Sequence, residues 1–337
     1  MKNNLLFLIL LTFFWACDDD DTTIPTNPSI TENAKLPSDL PSLYRQFYED
    51  NGGLNYVTVN GSKMAYTDSK TAAKPVMVLL HGLPDNNFLY RDVIPELKAD
   101  FRVIAPDHIG YGLSDRPDLE YSFTTLSNYL EGFVKELNLT EIHLVVTDVG
   151  GPAGLGFAAR NPDLISSITM YETLWLPVDD LENSNYAPPF QEFLINVRTP
   201  EVGEEIVVAQ NQMLAFLNQL TVSEMSDAVQ EVYAYPWLEE ESRTVMLETS
   251  RSIPVAGDPA DSKAMFDNYG AYLTNNNVPK LVILATPGAI SPPDYVDTAV
   301  NTFANIQSAT IEEVGHFITE DKPVEFANVV ADFIENL

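Results

Sequence analysis

Short apolar runs alternate with amphipathic stripes along most of the chain. The dipeptide Asn60-Gly61 favours a tight turn, so it predicts a hairpin between strands at 56–59 and 63–66. Six further strands are predicted at 76–80, 103–105, 142–146, 165–170, 281–285 and 310–314. Apolar residues at helical spacing predict helices at 88–98, 124–137, 151–160 and 323–337. This alternation predicts an α/β protein with a mostly parallel eight-stranded sheet flanked by helices.

The alternation stops between about residues 174 and 263. Here the chain has a helical pattern and is acidic and rich in aromatic residues. The strand at 281–285 then resumes the sheet. We therefore expect a helical cap at 174–263, inserted into a core formed by 43–173 and 264–337.

The first residues have the pattern of an export signal. The apolar run at 5–15 is too short to span a bilayer and has the length of the hydrophobic region of a signal peptide. Ala16 followed by Cys17 resembles the lipobox of bacterial lipoproteins. This predicts a lipoprotein signal peptide at 1–16 and a lipid anchor on Cys17. The alternative is an ordinary secretory signal with an incidental cysteine.

The segment at 17–42 is predicted to be a flexible acidic and proline-rich tether. It opens with four aspartates at 18–21. They resemble the surface-export signal of some lipoproteins, or they form a solvated spacer. Residues 22–42 are rich in Thr, Pro, Asn and Ser and have no apolar period, as flexible linkers do. We expect an exported, membrane-anchored lipoprotein, either periplasmic or on the cell surface.

Charge and composition narrow the classes of partner. The 337 residues include 49 acidic and 18 basic side chains, for a net charge of −31. Such a surface repels phosphate backbones, so no nucleic-acid partner is expected. Hydrophobic residues make up 45% of the chain, enough for a large core. The single cysteine excludes an internal disulfide and a cysteine-based zinc cluster.

Candidate chemistry lies where predicted strands end, because ligands of open parallel sheets bind beyond the carboxyl ends of the strands. Asp148 ends one strand and is followed by Val149-Gly150-Gly151. Small residues permit the sharp turn that presents a nucleophile. The turn also directs the Val149 backbone N–H at the reacting centre, and Leu83 offers a second N–H. An aspartate in this position is otherwise a helix N-cap.

A base and its partner acid are expected at two other strand ends. Among the four histidines, His316 alone follows the last predicted strand, as the order of nucleophile, acid and histidine in α/β-hydrolases requires. The loop after the strand at 281–285, a usual place for the acid, has no carboxylate before Asp294. Glu172 follows the strand at 165–170 and is therefore chosen as the acid.

These motifs resemble the haloalkane dehalogenase family of α/β-hydrolases, in the subgroup whose acid is a Glu after the sixth strand. The resemblance runs from about residue 50 to the carboxyl terminus. Besides the Asp148 turn and Glu172, it rests on HGLPDNNFLYRDVIPEL (81–97), PDHIGYGLSD (106–115), RTPEVGEEIVVAQN (198–211), IPVAGDPA (253–260), TPGAISPP (286–293) and GHFITEDKP (315–323).

The resemblance implies a two-step covalent hydrolysis of a small apolar organic substrate. Asp148 is the nucleophile and forms an alkyl ester. His316, held by Glu172, then activates a water that attacks the ester. The backbone N–H groups of Leu83 and Val149 stabilise the oxyanion. Neither a cofactor nor a metal is expected.

The chain departs from the family at the halide site. The family binds the departing halide with a Trp after the nucleophile and, in this subgroup, an Asn after the HG pair. Val149 and Leu83 stand at these two positions, and neither side chain donates a hydrogen bond. Cap residues are candidate substitutes: Trp175, Tyr233, Tyr235 and Trp237.

Two alternatives remain. Epoxide hydrolases share the Asp nucleophile and the cap and use cap tyrosines to protonate the leaving alkoxide, so Tyr233 and Tyr235 are candidates for that role. The other alternative is a surface lipoprotein that binds a small apolar ligand without turnover. An intact set of three catalytic side chains argues against the binder, which has no need of all three.

Overall fold

The computed structural model describes residues 29–179, 181, 186 and 188–337. The predicted signal peptide, Cys17 and the first part of the predicted tether lie outside the described residues. In the part that is described, no helix has the length and apolar character needed to cross a membrane.

A single nine-stranded sheet forms the centre of the described chain, with spatial order β1-β2-β3-β5-β4-β6-β7-β8-β9. Its strands are β1 (Ile30–Thr31), β2 (Asn55–Val59), β3 (Ser62–Asp68), β4 (Val76–Leu80), β5 (Arg102–Pro106), β6 (Ile142–Asp148), β7 (Ile165–Thr173), β8 (Lys280–Pro287) and β9 (Ile306–Val314). The first three and β5 pair antiparallel, and all pairs from β5 to β9 are parallel. The mostly parallel α/β sheet is confirmed, with one strand more than predicted.

The additional strand corrects the predicted tether. Ile30 pairs with Val57 at the sheet edge, and the Ala34 N–H donates to the Leu54 carbonyl (2.7 Å). Leu40 is buried just before the first helix. The part of 17–42 that is described, from residue 29 onward, therefore packs on the core. Edge pairing uses backbone hydrogen bonds, which the polar composition of this segment does not reveal.

Helices cover both faces of the sheet and form the cap. They are α1 (Ser42–Asp50), α2 (Ile94–Leu97), α3 (Phe123–Glu136), α4 (Gly150–Arg160), α5 (Pro188–Arg198), α6 (Gln212–Ala215), α7 (Asp227–Ala234), α8 (Thr244–Arg251), α9 (Ala260–Asn275), α10 (Pro293–Thr302), α11 (Ile318–Asp321) and α12 (Pro323–Glu335). Five 3-10 helices at Asn87–Tyr90, Pro162–Leu164, Leu217–Gln219, Tyr235–Trp237 and Glu240–Arg243, and a π-helix at Glu204–Ala209, complete the described elements. The helix predicted at 88–98 divides into the first 3-10 helix and α2.

The cap lies between β7 and α9. The predicted boundary at residue 264 falls inside α9, which packs against α3 and α4 of the core. The core therefore resumes at Ala260. The hydrophobic pattern of the sequence did not distinguish α8, the last helix of the cap, from α9, the first helix of the core after the cap, because both bury apolar faces.

The central strands are buried on both faces. Val78 and Leu80 of β4 pack with the layer that contains α3, α4 and α9, whereas Met77 and Leu79 pack with the layer of α1 and α12. Successive side chains of a strand point to opposite faces, so a continuous apolar run fills two layers at once. This rigid centre positions the loops at the carboxyl ends of the parallel strands.

Candidate active site

The turn after β6 presents Asp148. Its backbone φ is +43°, a left-handed conformation that Asp tolerates better than most residues. A Cβ on Gly150 would lie 2.5 Å from the His81 carbonyl oxygen, and one on Gly151 would lie 1.7 Å from Thr173 Oγ1. Only glycines fit there, so the predicted sharp turn depends on both.

Two backbone amides hold the Asp148 carboxylate. The Leu83 N–H donates to Oδ1 at 2.9 Å, and the Val149 N–H donates to the same carboxylate. Burial raises the pKa of Asp148, while His316 and the two amides oppose this shift. The side chain is 14% exposed. These are the two amides that the sequence predicts as the oxyanion site, and here they bind the negative charge of the carboxylate.

Glu172 is held by the loop that follows β8. It is fully buried at the end of β7, with φ of +42°. Its Oε2 accepts hydrogen bonds from the backbone of Ala289 (2.9 Å) and Ile290 (2.8 Å), and its Oε1 from Ser291 (3.2 Å). The loop that lacks an acid therefore supplies three N–H donors to an acid from the neighbouring strand.

His316 lies between the two carboxylates, in the loop after β9. Its Nδ1 is 3.1 Å from Glu172 Oε2, and its Nε2 is 3.7 Å from Asp148 Oδ2. Burial lowers the pKa of His316, but the hydrogen bond that it donates to Glu172 and the charge of Asp148 outweigh this effect, so the pKa is raised. The structure thus brings the three predicted side chains together in a line. The distance from the imidazole to Asp148 Oδ2 is longer than a hydrogen bond.

A small apolar cavity lies over Asp148. It holds about 20 Å³ of free volume, enough for roughly one water molecule. It is lined by Leu83, Phe123, Asp148, Val149, Pro152, Leu174, Phe190, Phe193, Ser250, Ile253 and Ile290. Among these described residues Ser250 carries the one neutral polar side chain. Its Oγ–H already donates to the Met246 carbonyl (2.8 Å).

The two cap tryptophans do not reach this cavity. Trp237 Nε1–H donates to the Pro84 carbonyl oxygen at 2.7 Å, so its donor is already used. Trp175 is buried and stacks on Tyr295, with ring centroids 4.3 Å apart. Neither belongs to the described lining. The Nε1–H of Trp175 has no hydrogen-bond partner among the described residues, but neither ring lies in the described lining, so the structure adds no support to their prediction as leaving-group donors.

The two cap tyrosines are also placed elsewhere. The Tyr233 hydroxyl donates to Glu320, which forms a bidentate ion pair with Arg91. Tyr235 hydrogen-bonds to Asp39. Neither hydroxyl lines the described cavity. Tyrosines at helical spacing identify a buried face, but they do not reveal which partner each hydroxyl finds.

A carboxylate ties the His316 loop to the cap. Asp321 accepts hydrogen bonds from the backbone of Gly315 (2.8 Å), Val222 (3.0 Å) and Ser223 (2.7 Å). A Cβ on Gly315 would lie 2.2 Å from a cap carbonyl oxygen, that of Leu220. The cap therefore contacts the base loop directly. Sequence reasoning missed this role, although Asp321 belongs to the GHFITEDKP motif.

A second carboxyl group beside Asp148 was also missed. Asp85 is 1% exposed, and its Oδ2 accepts a hydrogen bond from the Gly82 N–H (3.2 Å). Burial, and then the charge of Asp148, raise its pKa to about 7. The sequence signal was an acidic residue directly after the HGLP turn.

Asp85 predicts a pH-dependent loss of stability. Its carboxyl has a pKa of about 7 in the folded state against 3.8 unperturbed, so the folded state keeps a proton that the unfolded state releases. The free energy of unfolding therefore falls as the pH rises from about 4 to 7. Asp85→Asn removes this fall, so urea unfolding is expected to find it more stable than the wild type at pH 8 by up to about 4 kcal/mol. The difference should shrink towards pH 5. An equal difference at both pH values would contradict this assignment.

Within the described residues, no cluster of three or more histidine, cysteine or carboxylate side chains is placed to hold a metal ion.

Fold and site together define the class of protein. A family model for the alpha/beta hydrolase fold matches residues 75–323, and the chain belongs to that family. Within it, relatives named haloalkane dehalogenases are 30% and 31% identical over most of both chains, so the chain is a member of the haloalkane dehalogenase family and a haloalkane dehalogenase-like hydrolase.

Sequence relatives span almost the whole described chain. A haloalkane dehalogenase of Mycolicibacterium smegmatis is 30% identical over 297 residues, covering 86% of this chain and 93% of that protein. One from Sphingobium indicum strain UT26 is 31% identical over 293 residues, covering 85% and 96%. The structure of the haloalkane dehalogenase DbeA from Bradyrhizobium elkani superposes with a TM-score of 0.80 at 29% identity, covering 85% of this chain and 99% of that one.

Proposed function

We propose that this protein hydrolyses a small apolar substrate through a covalent alkyl ester at Asp148. The observation that supports this most strongly is the line of Asp148, His316 and Glu172, with two backbone N–H groups on the carboxylate of Asp148. An sp³ carbon bearing a halogen is the proposed electrophile, since the relatives are named haloalkane dehalogenases.

Asp148, His316 and Glu172 each have one role in the proposed reaction. A carboxylate oxygen of Asp148 attacks the carbon, and the halide leaves with the bonding electrons. His316 Nε2 then takes a proton from a water whose oxygen attacks the Asp148 ester. Glu172 holds the imidazole and stabilises its positive charge. The N–H groups of Leu83 and Val149 bind the oxyanion before the alcohol departs.

The leaving group is the weak point of the site. Leu83 and Val149 line the cavity and give it no side-chain donor, so a departing halide lacks charge-assisted hydrogen bonds worth about 1.5–3 kcal/mol each. We therefore propose slow chemistry with good leaving groups, bromide before chloride. The tyrosines proposed as acids for an epoxide lie outside the described cavity, which removes the support for that alternative.

Export remains a proposal as well. We propose that the protein is a lipoprotein anchored through Cys17, facing the periplasm or the cell exterior. The support is the sequence pattern of residues 1–17, which lie outside the described residues.

Halide release by the full chain tests the proposed function, with 1-bromohexane, 1-chlorohexane and 1,2-epoxyhexane as a parallel panel. Bromide and chloride release with formation of 1-hexanol supports it. Formation of the diol from the epoxide, without halide release, would show that the leaving group is an epoxide oxygen and not a halide. Tight binding of the probes without any product would favour the ligand-binding alternative.

Restoring one donor is expected to raise dehalogenation. Leu83→Asn places a side-chain N–H beside the nucleophile and nearly conserves the shape, because both side chains branch at Cγ. We expect kcat/KM for 1-bromohexane to rise about tenfold, which corresponds to one hydrogen bond to a charged group.

Leu83→Met, which keeps the volume but adds no N–H donor, is the matched control and should leave kcat/KM within about threefold. Equal rates for the Asn and Met variants would mean that the halide departs elsewhere in the cavity.

A further inference from the structure

One carboxyl oxygen of Asp85 is buried without a hydrogen-bond partner among the described residues. One oxygen is bonded to the Gly82 N–H, and Oδ1 has no hydrogen-bond partner among the described residues. The side chain is 1% exposed. Leaving a carboxylate oxygen buried and unpaired is costly, so an oxygen of this kind commonly serves a ligand or a water.

Asp85 and Asp148 have a common neighbour, Gly82. Asp85 and Asp148 lie on either side of Gly82, since the Gly82 N–H bonds to Asp85 and a Cβ on Gly82 would lie 2.9 Å from Asp148 Oδ1. The charges of Asp148 and His316 both act on the pKa of Asp85, the first raising it and the second lowering it. Asp85 is therefore coupled electrostatically to the two groups that change charge during the proposed reaction.

Its other titratable neighbours are neutral phenols. They come from four elements: Tyr90 of the first 3-10 helix, Tyr111 of the loop after β5, Tyr171 of β7 and Tyr233 of α7. Burial raises the pKa of each. The Tyr90 hydroxyl donates to the Leu80 carbonyl (2.8 Å), the Tyr171 hydroxyl to Tyr90 (3.3 Å) and the Tyr233 hydroxyl to Glu320. Three of the four protons are thus committed to other acceptors.

The proposed reaction changes the charges of Asp148 and His316, and both changes favour ionisation of Asp85 after the ester has formed. In the free enzyme the Asp148 carboxylate opposes ionisation of Asp85. Ester formation neutralises Asp148 and removes this repulsion, so Asp85 ionises more readily. The next step creates a positive charge on His316, which an ionised Asp85 stabilises.

The geometry points to Asp85 as a second functional carboxylate, specific to the hydrolytic half of the reaction. Its free Oδ1 accepts a hydrogen bond from the water that His316 deprotonates, and its charge stabilises the resulting imidazolium. The second O–H proton of that water points at Asp85, the first passes to His316 Nε2, and the oxygen bonds to the Asp148 carbonyl carbon. Collapse breaks the bond to the alkyl oxygen, which takes the proton from His316. This inference rests on the proposed function.

Single-turnover kinetics of Asp85→Asn test it. The full chain is mixed with 1-bromohexane, and the ester at Asp148 is followed by intact-protein mass and bromide release. We expect alkylation within about threefold of the wild type and ester hydrolysis slowed by about tenfold or more, so that the ester accumulates. In the wild type, hydrolysis should fall at low pH as both His316 and Asp85 become protonated. The Asn variant should lose the part of this fall that is due to Asp85 and keep the part due to His316, and Asp85→Glu should restore some of the lost part.

Tyr90→Phe is the matched control, because it removes a neutral hydroxyl beside Asp85 and should leave ester hydrolysis unchanged. Thermal unfolding verifies that each variant is folded. Ester hydrolysis by Asp85→Asn at the wild-type rate, or equal slowing of both half-reactions, would overturn the role of Asp85. Absence of any ester even in His316→Phe would instead overturn the proposed function, and this inference with it.

Discussion

Asp148→Asn is expected to lower bromide release by at least about a thousandfold, because the reaction then has no carboxylate to attack carbon. The substitution should preserve the fold. Asn accepts the left-handed backbone at φ +43°, and its carbonyl oxygen can still accept the Leu83 N–H. The measurement is bromide release from 1-bromohexane, with thermal unfolding of both proteins.

Asp163→Asn is the matched control for this substitution. Asp163 is exposed on the short 3-10 helix before β7 and does not line the cavity over Asp148. Its substitution should leave turnover unchanged. Retention of wild-type bromide release by Asp148→Asn would show that water attacks the substrate directly, and the covalent mechanism would have to be abandoned.

The sequence was informative wherever chemistry depends on the order of strands. Asp148, Glu172 and His316 could be placed because each lies at or just beyond the carboxyl end of a parallel strand, and these ends share one edge of the sheet. The backbone conformation around Glu172 could not be predicted from the sequence pattern. The backbone turns left-handed there, and the 289–291 amides close around its carboxylate.

The sequence pattern could not predict where the cap side chains point. Trp175, Tyr233, Tyr235 and Trp237 all lie in the cap as predicted, yet hydrogen bonds and stacking with other partners hold them away from the cavity. The spacing of aromatic residues predicts which face of an element is buried. It does not predict which acceptor the ring's O–H or N–H group will bind, because tertiary packing decides which acceptors lie nearby. Asp85 was overlooked for a related reason, since an acidic residue in a turn is usually solvated.

The proposed mechanism therefore joins a full set of groups for ester chemistry to a leaving-group site without side-chain donors. Asp148, His316 and Glu172 lie together at the strand ends, and three backbone amides hold the Glu172 carboxylate. The apolar side chains of Leu83 and Val149 weaken only the departure of an anion. We expect evolution of such a site towards substrates whose leaving group needs little hydrogen bonding.

His316→Phe is expected to stop the reaction after ester formation. Alkylation uses the carboxylate of Asp148 and no base, whereas hydrolysis requires His316 Nε2 to accept a proton. Steady-state bromide release should fall by about a thousandfold or more, after a burst of about one bromide per enzyme. Phe keeps a planar ring in this buried place, and Glu172 retains its three backbone donors. Intact-protein mass should detect the hexyl ester.

The matched control is His143→Phe. His143 lies near the start of β6, at the opposite end from Asp148, where it hydrogen-bonds to Ser167 (2.8 Å). Its substitution should leave turnover unchanged. In the wild type, the rate of ester hydrolysis should rise with pH as His316 loses its proton, because only the neutral imidazole can accept a proton from water. A burst without a trapped ester would contradict the covalent route, since bromide would then have left without alkylating Asp148.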